Sequence, residues 1–115
     1  MPEFKHRGKL YYNPVEFAMD HIGGTWKMPI LYRLRDQVMR FSELKRSMPK
    51  ITDKMLTTQL RELEEYGYVN RKVYPVVPPK VEYSITERGM RSIKVIDCIR
   101  EYGLELMREE GIEVG

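Results

Sequence analysis

Residues 51–67 read ITDKMLTTQLRELEEYG and carry the clearest structural signal in the chain. Thr52 is a residue type that favours the helix N-cap, and Gly67 can adopt the left-handed conformation that commonly ends a helix. The stretch therefore predicts a helix over residues 53–66. Apolar side chains at helical spacing give this helix one inward stripe, which comprises Leu56, Leu60 and Leu63.

The opposite side of this helix carries polar side chains that suit the major groove of DNA. Thr hydroxyls hydrogen-bond base edges and phosphates, and Thr methyls contact thymine methyls. Lys and Arg reach guanine or phosphate oxygens. The acidic residues concentrate near the carboxyl end, away from the end that would enter the groove. The predicted reading positions are Thr52, Lys54, Thr57, Thr58 and Arg61.

The flanking segments complete a recognisable element order. A helix over residues 42–48 precedes the turn at Pro49, and two strands follow at 69–73 and 80–85. The segment between the strands is rich in proline, so the two strands form a hairpin with a stiff tip. Basic side chains on the hairpin could follow the DNA backbone or the minor groove, or they could belong to an ordinary surface hairpin. They are Arg71, Lys72 and Lys80.

Two helices are expected before this region. Asn13 caps the first, which has Pro at its first position and ends at Gly23–Gly24. Its predicted buried face comprises Val15, Ala18, Met19 and Ile22. Thr25 is the expected cap of a second helix over 26–35, and a short extended piece follows at 39–41. Residues 1–12 are expected to be a basic, mobile arm.

The chain should close with a helix over 87–110, which has Thr86 as its expected cap and is about 35 Å long at 1.5 Å per residue. Its apolar residues cover more than half of its circumference, whereas one core needs a stripe of only about 100°. We expect a second copy of the chain to cover the excess, although the first helix could cover part of it. The predicted dimer-interface residues are Val15, Met19, Ile93, Ile96, Ile99, Tyr102 and Leu106.

The whole pattern predicts a mainly α protein with a small antiparallel β-hairpin, an α+β fold of the winged helix-turn-helix type. The chain has 115 residues, enough for one domain, which we expect to span 13–110 with a short tail at 111–115. Residues 40–80 hold nine Lys and Arg against five Asp and Glu, a net charge of +4. This excess favours a polyanionic partner, double-stranded DNA, and adds Arg40 and Lys45 to the predicted contacts, although basic side chains also simply solvate helices.

Other classes of protein find little support in the sequence. One cysteine allows no internal disulfide, and neither a signal peptide nor a membrane-spanning run is visible, so we expect a cytoplasmic protein. The sequence contains no metal-ligand spacing, phosphate loop or Ser-His-acid set, and it predicts neither an enzyme nor a cofactor. The rival interpretation is a winged helix that docks other proteins without binding DNA. That interpretation predicts an apolar or acidic outer face at 53–66.

The assembled segments resemble the HxlR family of winged-helix regulators, relatives of the MarR group. The similarity covers residues 12–105, and it implies a homodimeric transcription regulator, by default a repressor, paired through its terminal helices. The sequence identifies no effector, and a small-molecule effector is one alternative. The matching segments are PVE at 14–16, IGGTWK at 22–27, RFSELKR at 40–46, ITDKMLTTQLRELE at 51–64, VYPVVPPKVEY at 73–83 and TERG at 86–89.

One position departs from the pattern of this family. Relatives that sense oxidants or electrophiles carry a cysteine just before the Pro-Val-Glu segment, where a helix N-terminus lowers the pKa of a thiol. Asn13 occupies that position here, so the resemblance does not imply thiol sensing there. The single cysteine, Cys98, falls mid-helix, and we expect it to be an inert, packed thiol rather than a sensor.

Overall fold

A computed structural model describes residues 2–113 of the chain. Met1 of the predicted arm and Val114 and Gly115 of the predicted tail lie outside the described residues. The helices are α1 (Pro14–Ile22), α2 (Lys27–Leu34), α3 (Phe41–Ser47), α4 (Asp53–Glu65) and α5 (Glu87–Glu109). The strands are β1 (Phe4–His6), β2 (Lys9–Tyr11), β3 (Met39–Arg40), β4 (Val69–Tyr74) and β5 (Lys80–Ile85).

The centre of the molecule is a helix-turn-helix packed against a small sheet. Helices α3 and α4 form the motif, and α2 packs against α4, β5 and α5. The sheet is antiparallel with the order β3-β5-β4, and Met39 and Arg71 both pair with Tyr83. Side chains from all these elements meet in one core, in which the most deeply buried are Ile30, Leu31, Leu34, Leu44, Ile51, Leu56, Leu60 and Leu63. The predicted winged helix-turn-helix fold is confirmed.

Local capping explains most helix boundaries. Thr52 Oγ1 accepts a hydrogen bond from the Met55 amide, and Thr86 Oγ1 caps α5 in the same way. Gly67 ends the α4 segment with φ +83°, the left-handed conformation predicted for it. The predicted cap Thr25 is wrong: α2 begins after Trp26, whose side chain makes no capping bond.

The N-terminal segment differs most from expectation. Strands β1 and β2 form an antiparallel hairpin, where the sequence predicted a mobile arm. The two-residue turn between them, Arg7-Gly8, has φ +50° and +80°, a pair that two-residue hairpin turns of the primed type require. Arginine is a rare choice at such a position, so the turn carried no clear signal in the sequence.

An aromatic cluster fixes this hairpin to the body of the protein. Phe4 stacks on Tyr11 at a centroid distance of 5.3 Å, and Phe17 of α1 meets Tyr11 edge-on at 5.0 Å. Tyr11 is 4% exposed and donates a hydrogen bond to Asp20, which also pairs with Lys9 at 2.9 Å. Burial of aromatic area is the physical reason that the segment is ordered.

The cluster continues through His21 towards the carboxyl end of α4. The imidazole stacks on Tyr66 at a centroid distance of 4.3 Å, and its Nδ1 lies 3.0 Å from the Tyr68 hydroxyl. Its Nε2 is buried and has no hydrogen-bond partner within residues 2–113. Burial, followed by the charge of Arg88, lowers the pKa of His21, because a charged ring would carry a buried N–H without an acceptor.

Two expectations about buried faces need correction. Of the predicted buried face of α1, only Ile22 is buried, while Val15 and Met19 are 70% and 46% exposed. On α5, Ile96 was expected at a dimer interface but is buried in this chain's own core, and Ile93 packs partly against the same core. One side of α5 therefore packs in the core of this chain, and another side leaves its apolar residues exposed. No helix within residues 2–113 combines the length and the apolarity needed to span a membrane.

His21 makes stability depend on pH. Its pKa in the folded chain lies below the ordinary value of 6.5, so the unfolded chain binds more protons once the pH falls below that value. Stability is therefore fully present above about pH 6.5 and is lost as the pH falls towards the folded pKa. We expect the melting temperature to drop between about pH 7.5 and pH 5.5 more steeply in the wild type than in His21→Gln. Equal slopes would contradict this account.

Candidate nucleic-acid interface

The outward face of α4 presents a continuous polar stripe. Lys54, Thr58 and Arg61 are exposed and Thr57 is half-buried, at positions i, i+4, i+7 and i+3 of one helix face. On the opposite face the three leucines are at most 1% exposed. Because the helix is anchored by its buried leucines, the polar stripe points away from the core. The stripe matches the arrangement predicted from the sequence.

The threonine hydroxyls on this stripe are already engaged with the helix backbone. Thr57 Oγ1 donates to the Asp53 carbonyl at 2.9 Å, and Thr58 Oγ1 donates to the Lys54 carbonyl at 3.0 Å. Thr52, at the start of the helix, is used as the cap. The hydroxyls of Thr57 and Thr58 therefore keep acceptor lone pairs and methyl groups for a ligand, while their protons are occupied.

Helix α3 and the turn after it contribute a second basic surface. Lys45 and Arg46 line an open concavity of about 520 Å³, together with Phe41, Pro49 and Asp53 at the start of α4. Arg46 is exposed and Lys45 is half-buried. The sequence singled out Lys45 but not Arg46. Arg46 directly follows Lys45 on a helix that lies at the surface, and this position could have added Arg46 to the predicted DNA contacts.

One basic residue of the hairpin faces α4. Arg71 lines a groove of about 250 Å³ with Thr57, Arg61 and Glu64 of α4 and with Tyr83 of β5. Its strand neighbour Lys72 points to the other face of the sheet, because successive side chains alternate along a strand. The structure therefore brings Arg71 together with Thr57 and Arg61 and separates it from the other basic residues of the hairpin.

The outer face of the sheet carries the remaining predicted contacts. Glu82 of β5 pairs across the sheet with Arg40 on one side and Lys72 on the other. Next to this row, the Nζ atoms of Lys72 and Lys80 lie 4.8 and 4.6 Å from the centre of the Tyr74 ring. Cation–π contacts of this kind hold the two ammonium groups on one surface.

Glu82 is the one acidic side chain in this group. It accepts a hydrogen bond from the Tyr74 hydroxyl at 2.7 Å and lies 3.4 Å from Lys80. The Tyr74 hydrogen bond, then Lys80 and Arg40, lower the pKa of Glu82 against an opposing effect of burial. Because Glu82 is ionised, it neutralises part of the charge of Lys80. Lys80, which forms the salt bridge with Glu82, therefore contributes less positive charge to this face than an unpaired lysine would.

Comparison with known proteins identifies the family of this chain. The model of the HxlR-like helix-turn-helix family matches residues 21–111, most of the chain. The chain belongs to the HxlR-like helix-turn-helix family. It is 52% identical over 93 residues to an HTH-type transcriptional regulator of Methanothermobacter thermautotrophicus, across 81% of this chain and 71% of the relative.

Solved structures of similar proteins share the fold. The crystal structure of ytcD, a putative HTH-type transcriptional regulator, aligns with a TM-score of 0.79 and 48% identity over 84% of this chain and 98% of the other. The redox regulator HypR in its reduced form aligns with a TM-score of 0.78 and 50% identity, over 84% of this chain and 94% of the other. The protein is thus a DNA-binding transcription regulator of the HxlR type.

Two positions of this HxlR-type chain bear on thiol chemistry, Asn13 and Cys98. Asn13 Oδ1 accepts the Glu16 amide at 2.8 Å and so caps α1 through an amide side chain. The Glu16 carboxylate accepts a hydrogen bond from the Tyr12 amide, one residue before the cap. Cys98, expected to be packed, is exposed on α5, because the side of the helix that carries it faces away from this chain's core.

The Thr52 cap should be measurable as stability. Thr52→Ala removes the acceptor for the Met55 amide, and loss of such a cap costs about 1 kcal/mol. We expect urea denaturation at fixed protein concentration to show this loss. Thr58→Ala is the matched control, since an exposed mid-helix threonine changes stability by less than about 0.5 kcal/mol. An unaltered denaturation midpoint in Thr52→Ala would show that the cap does not hold the helix.

Proposed function

We propose that the protein is a sequence-specific DNA-binding homodimer that represses transcription by occupying promoter DNA. The observation that carries this proposal is the polar stripe of α4, held outward by the buried leucines on its opposite face. In this proposal α4 enters the major groove, with Lys54, Thr57, Thr58 and Arg61 towards the base edges. A motif of this kind places the second helix of the helix-turn-helix against the bases.

The basic side chains around α4 are assigned to the DNA backbone. Arg71 lies in the groove beside the reading helix, where it can reach a phosphate at the edge of the major groove. Arg40 and Lys72, on the outer face of the sheet, and Lys45, on α3, supply further positive charge. Contacts to phosphates orient the protein on the duplex without reading its sequence. The hairpin tip at 75–79 would then follow the backbone or the minor groove.

The dimer is proposed from an exposed apolar seam along α5. Val95, Ile99, Tyr102 and Leu106 are 41% to 61% exposed and are spaced by four, three and four residues. This spacing is the repeat by which two helices pair side by side. The seam is distinct from the side of α5 that holds Ile96 in the core. A second copy of α5 supplies the complementary apolar face that the seam needs.

Helix α1 extends the proposed interface. Val15 and Met19 are exposed, and the neighbouring Ala18 lines a shallow cavity of about 350 Å³ whose other wall includes Val95 of α5. The exposed apolar side chains of the two helices therefore belong to one region of the surface. In a symmetric dimer the two α4 helices would read half-sites about 34 Å apart, one turn of the duplex.

Substitution of the cationic ends of the stripe should weaken DNA binding. Lys54→Ala and Arg61→Ala each remove a contact worth about 1–3 kcal/mol if it is made to a base, or about 5- to 150-fold in affinity. The measurement is fluorescence anisotropy on a duplex selected in vitro by the full-length protein. Lys94→Ala, an exposed lysine of α5, is the control and should leave affinity unchanged. Wild-type affinity in both stripe variants would place the reading surface elsewhere.

A charge in the apolar seam should dissociate the dimer. We expect Ile99→Glu to sediment as a monomer at micromolar concentration, because a carboxylate buried in an apolar interface loses its hydration without a partner. Val38→Glu makes the same chemical change at an exposed apolar side chain outside the seam and should leave the dimer intact. Analytical ultracentrifugation distinguishes the two states. A dimeric Ile99→Glu, or a monomeric wild type, would refute the proposed seam.

A further inference from the structure

The threonines of the α4 stripe are restricted in the hydrogen bonds that they can offer DNA. A threonine hydroxyl has one proton and two acceptor lone pairs. In Thr57 and Thr58 that proton is donated to a backbone carbonyl four residues earlier, at 2.9 and 3.0 Å. Each side chain can therefore accept a hydrogen bond and can present its methyl group, but it has no proton to donate.

The four bases differ in how well they match such a side chain. In the major groove guanine offers only acceptors, so it has no donor for these hydroxyls. Cytosine offers an amino donor, adenine offers an amino donor beside an acceptor, and thymine offers a methyl group. An A·T pair is the base pair that provides both an amino donor and a methyl group.

The two residues at the ends of the stripe have the opposite character. Lys54 and Arg61 are exposed, and neither forms a salt bridge or a side-chain hydrogen bond within residues 2–113. Their donors suit guanine O6 and N7. They are seven positions apart on the helix, a rise of about 10.5 Å, which spans roughly three base-pair steps. The threonine pair thus lies between two guanine-compatible cations.

We propose that Thr57 and Thr58 are specificity-determining residues that select A·T base pairs at the centre of each half-site. They do so through contact with the thymine methyl and by accepting from the adenine amino group. This inference rests on the proposed function, in which α4 lies in the major groove. It adds which base pairs the middle of α4 would contact.

The test begins with selection of duplexes from a random pool by the full-length protein. In the enriched operator, each central thymine is then replaced by deoxyuridine, which removes the methyl group and leaves pairing intact. We expect the wild type to lose affinity by about fourfold per contacted methyl, the equivalent of about 0.8 kcal/mol. Fluorescence anisotropy measures this loss.

Two variants separate the methyl from the hydroxyl. The double variant Thr57→Ser, Thr58→Ser keeps the hydroxyls and lacks the methyls, so it should bind thymine and deoxyuridine operators equally. The double variant Thr57→Val, Thr58→Val keeps a methyl at each site and should retain the loss with deoxyuridine. Both variants alter exposed or half-buried positions of α4, and circular dichroism checks that they fold.

The outcomes distinguish this inference from the function on which it rests. Enrichment of an operator whose half-site centres are G·C pairs would overturn the inference and leave DNA binding in place. An equal loss with deoxyuridine in the wild type and the serine variant would also overturn it. Failure to enrich any duplex would contradict the proposed function itself.

Discussion

The architecture depends on burial of one side of α4. Leu56, Leu60 and Leu63 are at most 1% exposed and pack among the side chains of α2, α3 and the sheet. Truncation of a buried leucine of this kind to alanine costs about 2–5 kcal/mol, a large part of the stability of a small domain. The helix therefore cannot rotate about its axis without losing much of the core. Its polar face is held outward as a consequence of that burial.

The carboxyl end of α4 connects this helix to α2 and to α1 and α5, the helices proposed for dimerisation. Near its carboxyl end, Glu62 accepts from the buried Lys27 of α2, and the Tyr66 carbonyl accepts from Arg88 of α5. His21 of α1 contacts Tyr66 and Tyr68 just beyond the helix.

The approach of α5 to the same region is close. A Cβ atom at Gly89 would overlap the carbonyl of Tyr68, so glycine is required where the first turn of α5 crosses the base of the hairpin. Short, packed contacts of this kind determine where the proposed dimer helices lie relative to the reading helix. They would therefore set the separation of two reading helices in a dimer.

Local chemistry made much of the fold predictable from the sequence. Thr52, Gly67 and Thr86 each act through their own backbone, so their roles as helix start and stop signals could be identified without tertiary information. The exception among the predicted caps, Thr25, precedes a helix that begins without a side-chain cap. The N-terminal hairpin was missed because its order comes from distant aromatic contacts and its turn uses Arg7 rather than a typical turn residue.

The composition of the candidate site and the outward stripe of α4 were predictable, but the arrangement of the basic side chains around that stripe was not. The alternation of side chains along β4 separates Arg71 from Lys72, a period-two signal that was present in the sequence and not used. The partial neutralisation of Lys80 by Glu82 requires the register of the sheet, and the back-bonds of Thr57 and Thr58 require side-chain conformations. The exposure of Val15 and Met19 follows from the placement of α1, which no local pattern encodes.

The central claim is that the threonine side of α4 meets DNA while the leucine side does not. Methyl groups report on both sides in one sample. Intermolecular nuclear Overhauser effects should be measured on protein with labelled Thr and Leu methyls, bound to its selected operator. We predict contacts from the Thr57 and Thr58 methyls to major-groove protons, and none from Leu56, Leu60 or Leu63. Contacts to DNA from the leucine methyls of α4, or from Leu104 and Leu106 of α5 alone, would contradict the account.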